Sequence, residues 1–250
     1  MSEVAVQHGG LEVFEPSLFG TYSKKIGMWL FLLSDTLTFG ALLFAYSYGR
    51  ISNPDWPTPF GKDSITNATI MTGCLLSSSL TMVLAVMAAR RNDRSWTRNW
   101  ILLTMLFGTA FILLHGREWG HLIEEGMLPG ANPWSAVPQF GGTFFTLTGM
   151  HMLHVTIGVI YLGVVSLRKA FLPILLALWG LGWWLIPADS VFHYGIHVLL
   201  LGFIVSAMIL FLKPKDYDAP DVEIAGLYWH FVDLVWMFIF PLVYLMSTRV

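Results

Sequence analysis

Long apolar runs alternate with short polar connections along the whole chain. A helix needs about 20 residues to cross the hydrocarbon core of a bilayer. Seven runs meet or approach that length, at positions 26–48, 70–89, 100–114, 142–167, 170–186, 191–212 and 224–246. This pattern predicts an all-α fold, a polytopic transmembrane bundle of seven helices.

The two shortest runs are interpreted together with their C-terminal neighbours in the chain. The run 100–114 continues into the more polar stretch HGREWGHLI, so the helix is predicted to extend beyond its apolar part. The run 170–186 is separated from the run 191–212 only by PADS, at 187–190, which is the length of a tight turn. These two runs are therefore predicted to form one transmembrane hairpin.

The composition agrees with a membrane protein. Only 12% of the residues are charged and 55% are hydrophobic, with a mean hydropathy of +0.63, whereas soluble domains average about a quarter charged. The formal net charge of −2 argues against a nucleic-acid partner. A single cysteine, Cys74, excludes an internal disulfide and a site with several thiolate ligands. The first 23 residues show no basic stretch followed by an apolar core, so we expect no cleavable signal peptide.

The basic residues predict the orientation. Lysine and arginine are enriched in the cytoplasmic loops of membrane proteins. With seven spans, ten of the 14 lysines and arginines fall on the side of the N-terminus, which is therefore predicted to be inside.

Small residues are spaced four apart in the second run, at Gly73, Ser77 and Thr81. Such a stripe allows helix backbones to approach closely in lipid. It indicates helix packing and predicts a bundle, as opposed to a row of helices that are each surrounded by lipid.

Several ionisable residues interrupt the apolar runs, and the run LYWHFVDLVWMFIF near the C-terminus carries two of them three positions apart. An ionisable group at the bilayer centre costs about 2.5–3.5 kcal/mol on insertion scales, so each is expected to face the bundle interior. At about 1.5 Å of rise per residue, one subset lies at a common level nearer the inner face: Asp35, His154, His230 and Asp233. A second subset lies near the outer face: Glu118, His121, His193 and His197.

Three interpretations of these residues remain open. They pair with one another and hold the helices in register, they bind a metal, or they relay or sense protons. The metal interpretation is weakened because carboxylate-bridged di-iron bundles use two Glu-x-x-His pairs, and here only Glu118 and His121 form one. Pairing and proton relay are not distinguished by spacing. Because burial disfavours an isolated carboxylate, Asp35 is expected to be at least partly neutral or to be paired with an imidazole such as that of His154 or His230.

Read in order, four blocks resemble subunit III of the haem-copper oxidases, the cytochrome c and quinol oxidase family. They are GMWLFLLSDTLTFGALLFAY at 27–46, HGREW at 115–119, GTFFTLTGMHMLHVTIG at 142–158 and EIAGLYWHFVDLVWMFIF at 223–240. The last two are specific, because T-G-x-H-x-x-H-V and W-H-F-V-D-x-V-W are hard to meet by chance. The likeness covers most of 25–169 and 223–247.

The resemblance implies a bundle of five or seven transmembrane helices in the bacterial cytoplasmic membrane, without catalytic residues, metal, haem or copper of its own. Haem and copper would lie in the partner catalytic subunit I, which reduces O2 and pumps protons beside subunit II. The chain would support proton uptake, protect the catalytic subunit and hold phospholipids. The family's intramembrane polar positions correspond to Asp35, Glu118, His151, His154, Glu223, His230 and Asp233, and Arg168 matches a lipid head-group contact. Of these, Asp35, His151, His154, His230 and Asp233 are expected to form an intramembrane cluster with a structural or protonic role.

Two departures from the family pattern affect the predictions. An aspartate stands at position 35 where many relatives have glutamate, which leaves cytochrome c and quinol both open as electron donor. Residues 170–222 have no recognised counterpart. The chain is thus divided into a polar segment 1–24, four core helices in 25–169, an inserted hairpin and loop in 170–222, and a last core helix in 223–250. The hairpin, 170–212, is expected to contact lipid or an additional subunit.

Two other functions compete with this one. The histidines and carboxylates would also suit a stand-alone metal-dependent membrane oxidoreductase. A transporter is the other alternative, although inverted repeats or broken helices in corresponding halves, which would favour one, are not found in the sequence.

Overall fold

Five long helices make up the described part of the bundle. The computed structural model describes residues 23–134, 137, 139–166, 176 and 218–247. The helices are α1 (Ser23–Ser52), α2 (Lys62–Arg90), α3 (Arg94–Glu124), α4 (Gln139–Ser166) and α5 (Ala219–Ile239). Each is long and apolar enough to cross a membrane. Five of the seven predicted spans are thereby confirmed as helices, and α3 extends through HGREWGHLI as predicted. The hairpin 170–212, with His193 and His197, and Arg168 lie outside the described residues.

Four of the helices form a closed ring, and the first packs against it. Helix α2 contacts α3 and α5, and α4 contacts the same two helices, while α1 lies against α4 and α5. The buried face of α1 consists of Leu32, Phe39 and Tyr46, which are spaced seven apart. Because seven residues are close to two helical turns, these side chains form a single line along the helix. The rest of α1 exposes large apolar side chains, as expected for a helix at the edge of a bundle in lipid.

The small-residue stripe predicted on α2 does not face a neighbouring helix along its length. Thr81 is buried, and its hydroxyl lies 2.7 Å from that of Thr104 on α3. Gly73 is exposed, with no atom within 4 Å of the position of an added Cβ. A spacing of four exceeds the 3.6 residues of a turn, so the stripe rotates out of the interface. The predicted bundle is confirmed, but the stripe takes part in the packing at Thr81 and not at Gly73, and Ser78 and Ala85 are among the other buried residues of α2.

The helix ends are defined by local polar contacts. Asn92, with φ at 58°, makes the turn between α2 and α3, and the Asp93 side chain accepts a hydrogen bond from the backbone N–H of Trp96. Such side-chain caps satisfy amide groups that the first helical turn leaves free. The backbone N–H of Asp218 donates to the side chain of Asp221 at the start of α5, 3.4 Å away. These short signals explain why the helices begin where they do.

Helix α5 widens near its C-terminal end. The segment Phe240–Tyr244 is π-helical and contains Pro241, and a 3-10 turn follows at Leu245–Ser247. Arg50, at the end of α1, donates to the carbonyls of Leu242 and Met246. The guanidinium thus fastens the end of α5, where carbonyls lack partners within the helix.

Candidate functional site

Asp35 and His154 form a contact between α1 and α4. Their Oδ2 and Nε2 atoms are 3.1 Å apart, and both side chains are largely buried. The other ring nitrogen, Nδ1, is 2.8 Å from the carbonyl oxygen of Met150. The Tyr228 hydroxyl of α5 donates to the backbone carbonyl of His154, 3.0 Å away. Asp35 therefore meets His154, one of the two imidazoles predicted for it.

The hydrogen-bond partners limit the protonation states in which this pair makes both of its contacts. A carbonyl oxygen only accepts, so Nδ1 of His154 carries a hydrogen and donates it to Met150. A direct hydrogen bond between Nε2 and the Asp35 carboxyl group then requires one further proton, either on the imidazole or on the acid. An imidazole in direct contact with a carboxyl group is a combination that intramembrane proton relays use.

His230 and Asp233 belong to a second contact, which joins α5 to α2. The Ser79 hydroxyl donates to Oδ2 of Asp233 at 2.7 Å, and its oxygen lies 2.9 Å from Nδ1 of His230. In a nucleophilic triad the imidazole lies between the serine and the acid. Here the serine lies between the other two, and its hydroxyl proton is directed to the carboxylate. The arrangement therefore connects helices and does not activate a nucleophile.

His151 lies apart from both contacts, among aromatic side chains. Its ring stacks on Trp236 of α5 at a centroid distance of 5.2 Å, and Phe111 of α3 meets it edge-on at 5.6 Å. His115 of α3 lies parallel to Phe111 on another side, also at 5.6 Å. The structure thus does not bring the five residues predicted for the intramembrane cluster into one group, and it separates His151 from His154.

Glu118 is buried near the same aromatic group. Its Oε2 accepts a hydrogen bond of 2.9 Å from the hydroxyl of Tyr244, which the π-helical end of α5 carries. His121, three residues later, is exposed and lies 3.3 Å from Glu125. The Glu118 and His121 side chains therefore point to different environments. Within the described part of the chain, no three His, Cys, Asp or Glu residues are arranged to hold a metal ion.

Glu223 is the centre of a charged contact at one end of the bundle. Its carboxylate lies 2.6 Å from Nζ of Lys25 on α1 and 3.2 Å from the guanidinium of Arg90 on α2. Lys24 and Asp221 add a longer pair of 3.5 Å. These contacts therefore join three helices at one end of the bundle: the start of α1, the end of α2 and the start of α5.

Three residues that the structure brings into these buried groups are not among the predicted site residues: Ser79, Tyr244 and His115. Ser79 lies in an apolar run and was not distinguished from its serine neighbours, and Tyr244 has the sequence context of an ordinary interfacial aromatic. His115 had a detectable signal, since it precedes Glu118 by three residues and so shares its helix face. Hydroxyl groups that complete a polar contact carry no such signal, because their partners are far away in the chain.

Together the fold and these contacts describe a polytopic membrane protein whose buried polar side chains connect helices to one another. The chain also matches the family model of cytochrome c oxidase subunit III over residues 18–174. It is 30% identical to cytochrome c oxidase subunit 3 of Alkalihalophilus pseudofirmus over 226 residues, which cover 90% of this chain and 88% of the relative. The chain therefore belongs to the cytochrome c oxidase subunit III family and is a subunit of a haem-copper terminal oxidase.

Other relatives include oxidases with different donors in their names. Cytochrome c oxidase subunit 3 of Bacillus subtilis is 30% identical over 225 residues, covering 90% of this chain and 87% of the relative. Cytochrome bo(3) ubiquinol oxidase subunit 3 of Pseudomonas aeruginosa is 29% identical over 224 residues, covering 89% and 84%. The family predicted from the four sequence blocks is confirmed, and a stand-alone oxidoreductase or transporter is not favoured.

Proposed function

We propose that this chain is a non-catalytic subunit that stabilises its oxidase and supports proton uptake by the catalytic subunit. The observation that carries the proposal is the Asp35–His154 contact between α1 and α4, in which Oδ2 and Nε2 lie 3.1 Å apart; an imidazole and a carboxyl group in direct contact would share one proton. This pair lies where the edge helix meets the ring of four, and both side chains keep a small exposed fraction. A proton held there is accessible from the edge of the bundle. The other buried polar contacts would serve to hold the helices in register.

The partners proposed for the chain are subunits I and II, with haem and copper in the catalytic subunit and none held here. The proposed location is the bacterial cytoplasmic membrane, with the N-terminus and the α2–α3 turn inside. The basic residues at that turn support this orientation. Labelling of a cysteine placed at position 94, after replacement of Cys74, tests it in intact cells.

The division of the chain into four core helices, an inserted hairpin and a last core helix is also part of the proposal. Lys25, Arg90 and Glu223 lie at one end of the bundle, where they join the start of α1, the end of α2 and the start of α5, and α4 packs against α5. The hairpin 170–212 would begin and end at that end of the bundle and would contact lipid or an additional subunit. Arg168, at its entry, would bind a phospholipid head group.

Purification from the native membrane tests the function as a whole. A catalytic subunit with haem absorbance is expected to co-purify with this chain, and metal analysis is expected to assign iron and copper to that subunit. If the chain purifies alone and carries one equivalent of tightly bound iron, copper or zinc, the proposal is wrong and a metal-dependent oxidoreductase replaces it.

A further inference from the structure

Tyr228 reaches the Asp35–His154 contact from a third helix. Its hydroxyl donates to the backbone carbonyl of His154, 3.0 Å away, and also interacts electrostatically with Asp35. Among the described residues, Tyr228 is the only one outside α1 and α4 that hydrogen-bonds to either member of the pair. The contact between α1 and α4 is therefore connected to α5 through one phenol group.

The bond from Tyr228 is additional to the regular hydrogen bonds of α4. In an α-helix the carbonyl of residue 154 accepts the N–H of residue 158, and a second lone pair remains on the oxygen. Residue 158 is a glycine, and a Cβ added there would lie 3.2 Å from Cε1 of Tyr228. The missing side chain thus lets the phenol ring lie against the turn of α4 that begins at His154.

One face of α1 contacts both Tyr228 and His154. Phe31 and Phe39 lie four residues before and four residues after Asp35, which places these side chains on the same face of the helix. The Phe31 ring is 6.1 Å from that of Tyr228, and the Phe39 ring meets that of His154 edge-on at 5.0 Å. Tyr228 therefore packs against both of the helices that the Asp35–His154 contact joins.

The length of this contact makes it sensitive to a small movement of either helix. The separation of 3.1 Å between Oδ2 and Nε2 is near the upper end of the usual range for N–H···O bonds, about 2.7–3.2 Å. An increase of about 0.5 Å would end the hydrogen bond. A group that holds α4 in place against α1 and α5 would therefore decide whether the two side chains remain bonded.

We propose that Tyr228 is a positioning residue for the Asp35–His154 contact, whose hydroxyl holds α4 where Nε2 of His154 reaches the Asp35 carboxyl group. The effect of Tyr228 on proton uptake rests on the proposed function. The effect of Tyr228 on the distance between the two side chains does not.

Tyr228→Phe in the intact oxidase tests the distance, because it removes the hydroxyl and keeps the ring. Tyr161→Phe is the matched control: the Tyr161 ring contacts that of Tyr228 at a centroid distance of 6.4 Å, and its hydroxyl makes no hydrogen bond within the described part of the chain. In a high-resolution structure of Tyr228→Phe, Oδ2 and Nε2 should be about 3.6 Å or more apart, where no hydrogen bond remains, and the control should keep the wild-type separation. An unchanged separation in Tyr228→Phe would overturn the inference. So would failure of this variant to assemble, because the hydroxyl would then be needed for folding of the bundle.

Proton uptake in vesicles tests the consequence for function. Tyr228→Phe should slow uptake several-fold and change its pH profile, whereas Tyr161→Phe should match the wild type. Combined with Asp35→Asn, it should cause no further slowing, because residues that act through one contact are not additive. Additive slowing, or normal uptake in Tyr228→Phe where Asp35→Asn is slow, would refute the positioning role. If Asp35→Asn itself takes up protons like the wild type, the proposed function is wrong, and the distance measured in Tyr228→Phe alone decides the inference.

Discussion

Replacement of Asp35 separates the protonic role of its carboxyl group from its structural one. In the wild type Asp35 Oδ2 and His154 Nε2 are 3.1 Å apart, and under the proposed function they share one proton. Asparagine has nearly the same shape, and its amide N–H is able to donate to Nε2 of the neutral ring. Asp35→Asn therefore keeps a contact between α1 and α4 but removes the acid proton. Asp35→Ala removes both.

Asp35→Ala should be less stable than Asp35→Asn, by about the contribution of the hydrogen bond between helices that it removes. Hydrogen bonds between helices in a membrane contribute about 0.6 kcal/mol on average and up to about 1.7 kcal/mol. In Asp35→Ala, the largely buried Nε2 of His154 also loses its partner. We expect this variant to lose about 1–2 kcal/mol in free energy of unfolding, including the cost of the unsatisfied nitrogen, and Asp35→Asn to lose less than about 0.6 kcal/mol.

Both effects are measurable on the purified complex. Thermal denaturation in detergent reports stability, and proton uptake with O2 consumption in vesicles reports function. Asp35→Asn should assemble normally and slow proton uptake, whereas Asp35→Ala should impair both assembly and uptake. Asp55→Asn, an exposed aspartate in the α1–α2 loop, is the matched control and should behave like the wild type. If both Asp35 variants match the wild type in assembly and in turnover, the carboxyl group has neither role and the proposal for this pair is refuted.

Three further predictions concern packing, a buried carboxylate and the hairpin. Gly108→Ala should destabilise the bundle by about 1–3 kcal/mol, because the added Cβ would lie 2.5 Å from a buried indole of α5. Gly40→Ala is the control, since its added Cβ would have nothing within 4 Å. Equal thermal denaturation midpoints for the Gly108→Ala and Gly40→Ala variants would contradict this packing. Tyr244→Phe should cost about 1–3 kcal/mol because Glu118 loses its protein partner, measured by the same denaturation assay, and an unchanged midpoint would show that the hydrogen bond is not needed. Deletion of 170–212, with a short polar loop joining the ends, should leave a folded, active oxidase that has lost a partner or some stability; failure of the other helices to assemble would place the hairpin in the core.

The position of each polar group along its helix was predictable from sequence. Five of the predicted runs are helices in the described residues, since an apolar run that meets or approaches the length of a bilayer crossing indicates a helix, and the rise of about 1.5 Å per residue predicts depth without knowledge of neighbours. The specific motifs around His151 and His230 also determined the family. These properties depend on order along one chain segment, so the sequence carries them directly.

Only the tertiary structure decided which groups meet. His151 and His154 are three residues apart on one helix, yet one lies among Phe111 and Trp236 while the other contacts Asp35. His230, predicted at the depth of Asp35, instead meets Ser79 on α2. Depth along a helix follows from residue spacing, but the direction in which a side chain points, and the helix it meets there, depend on how the helices pack together. That information is distributed over the whole bundle and is absent from any local pattern.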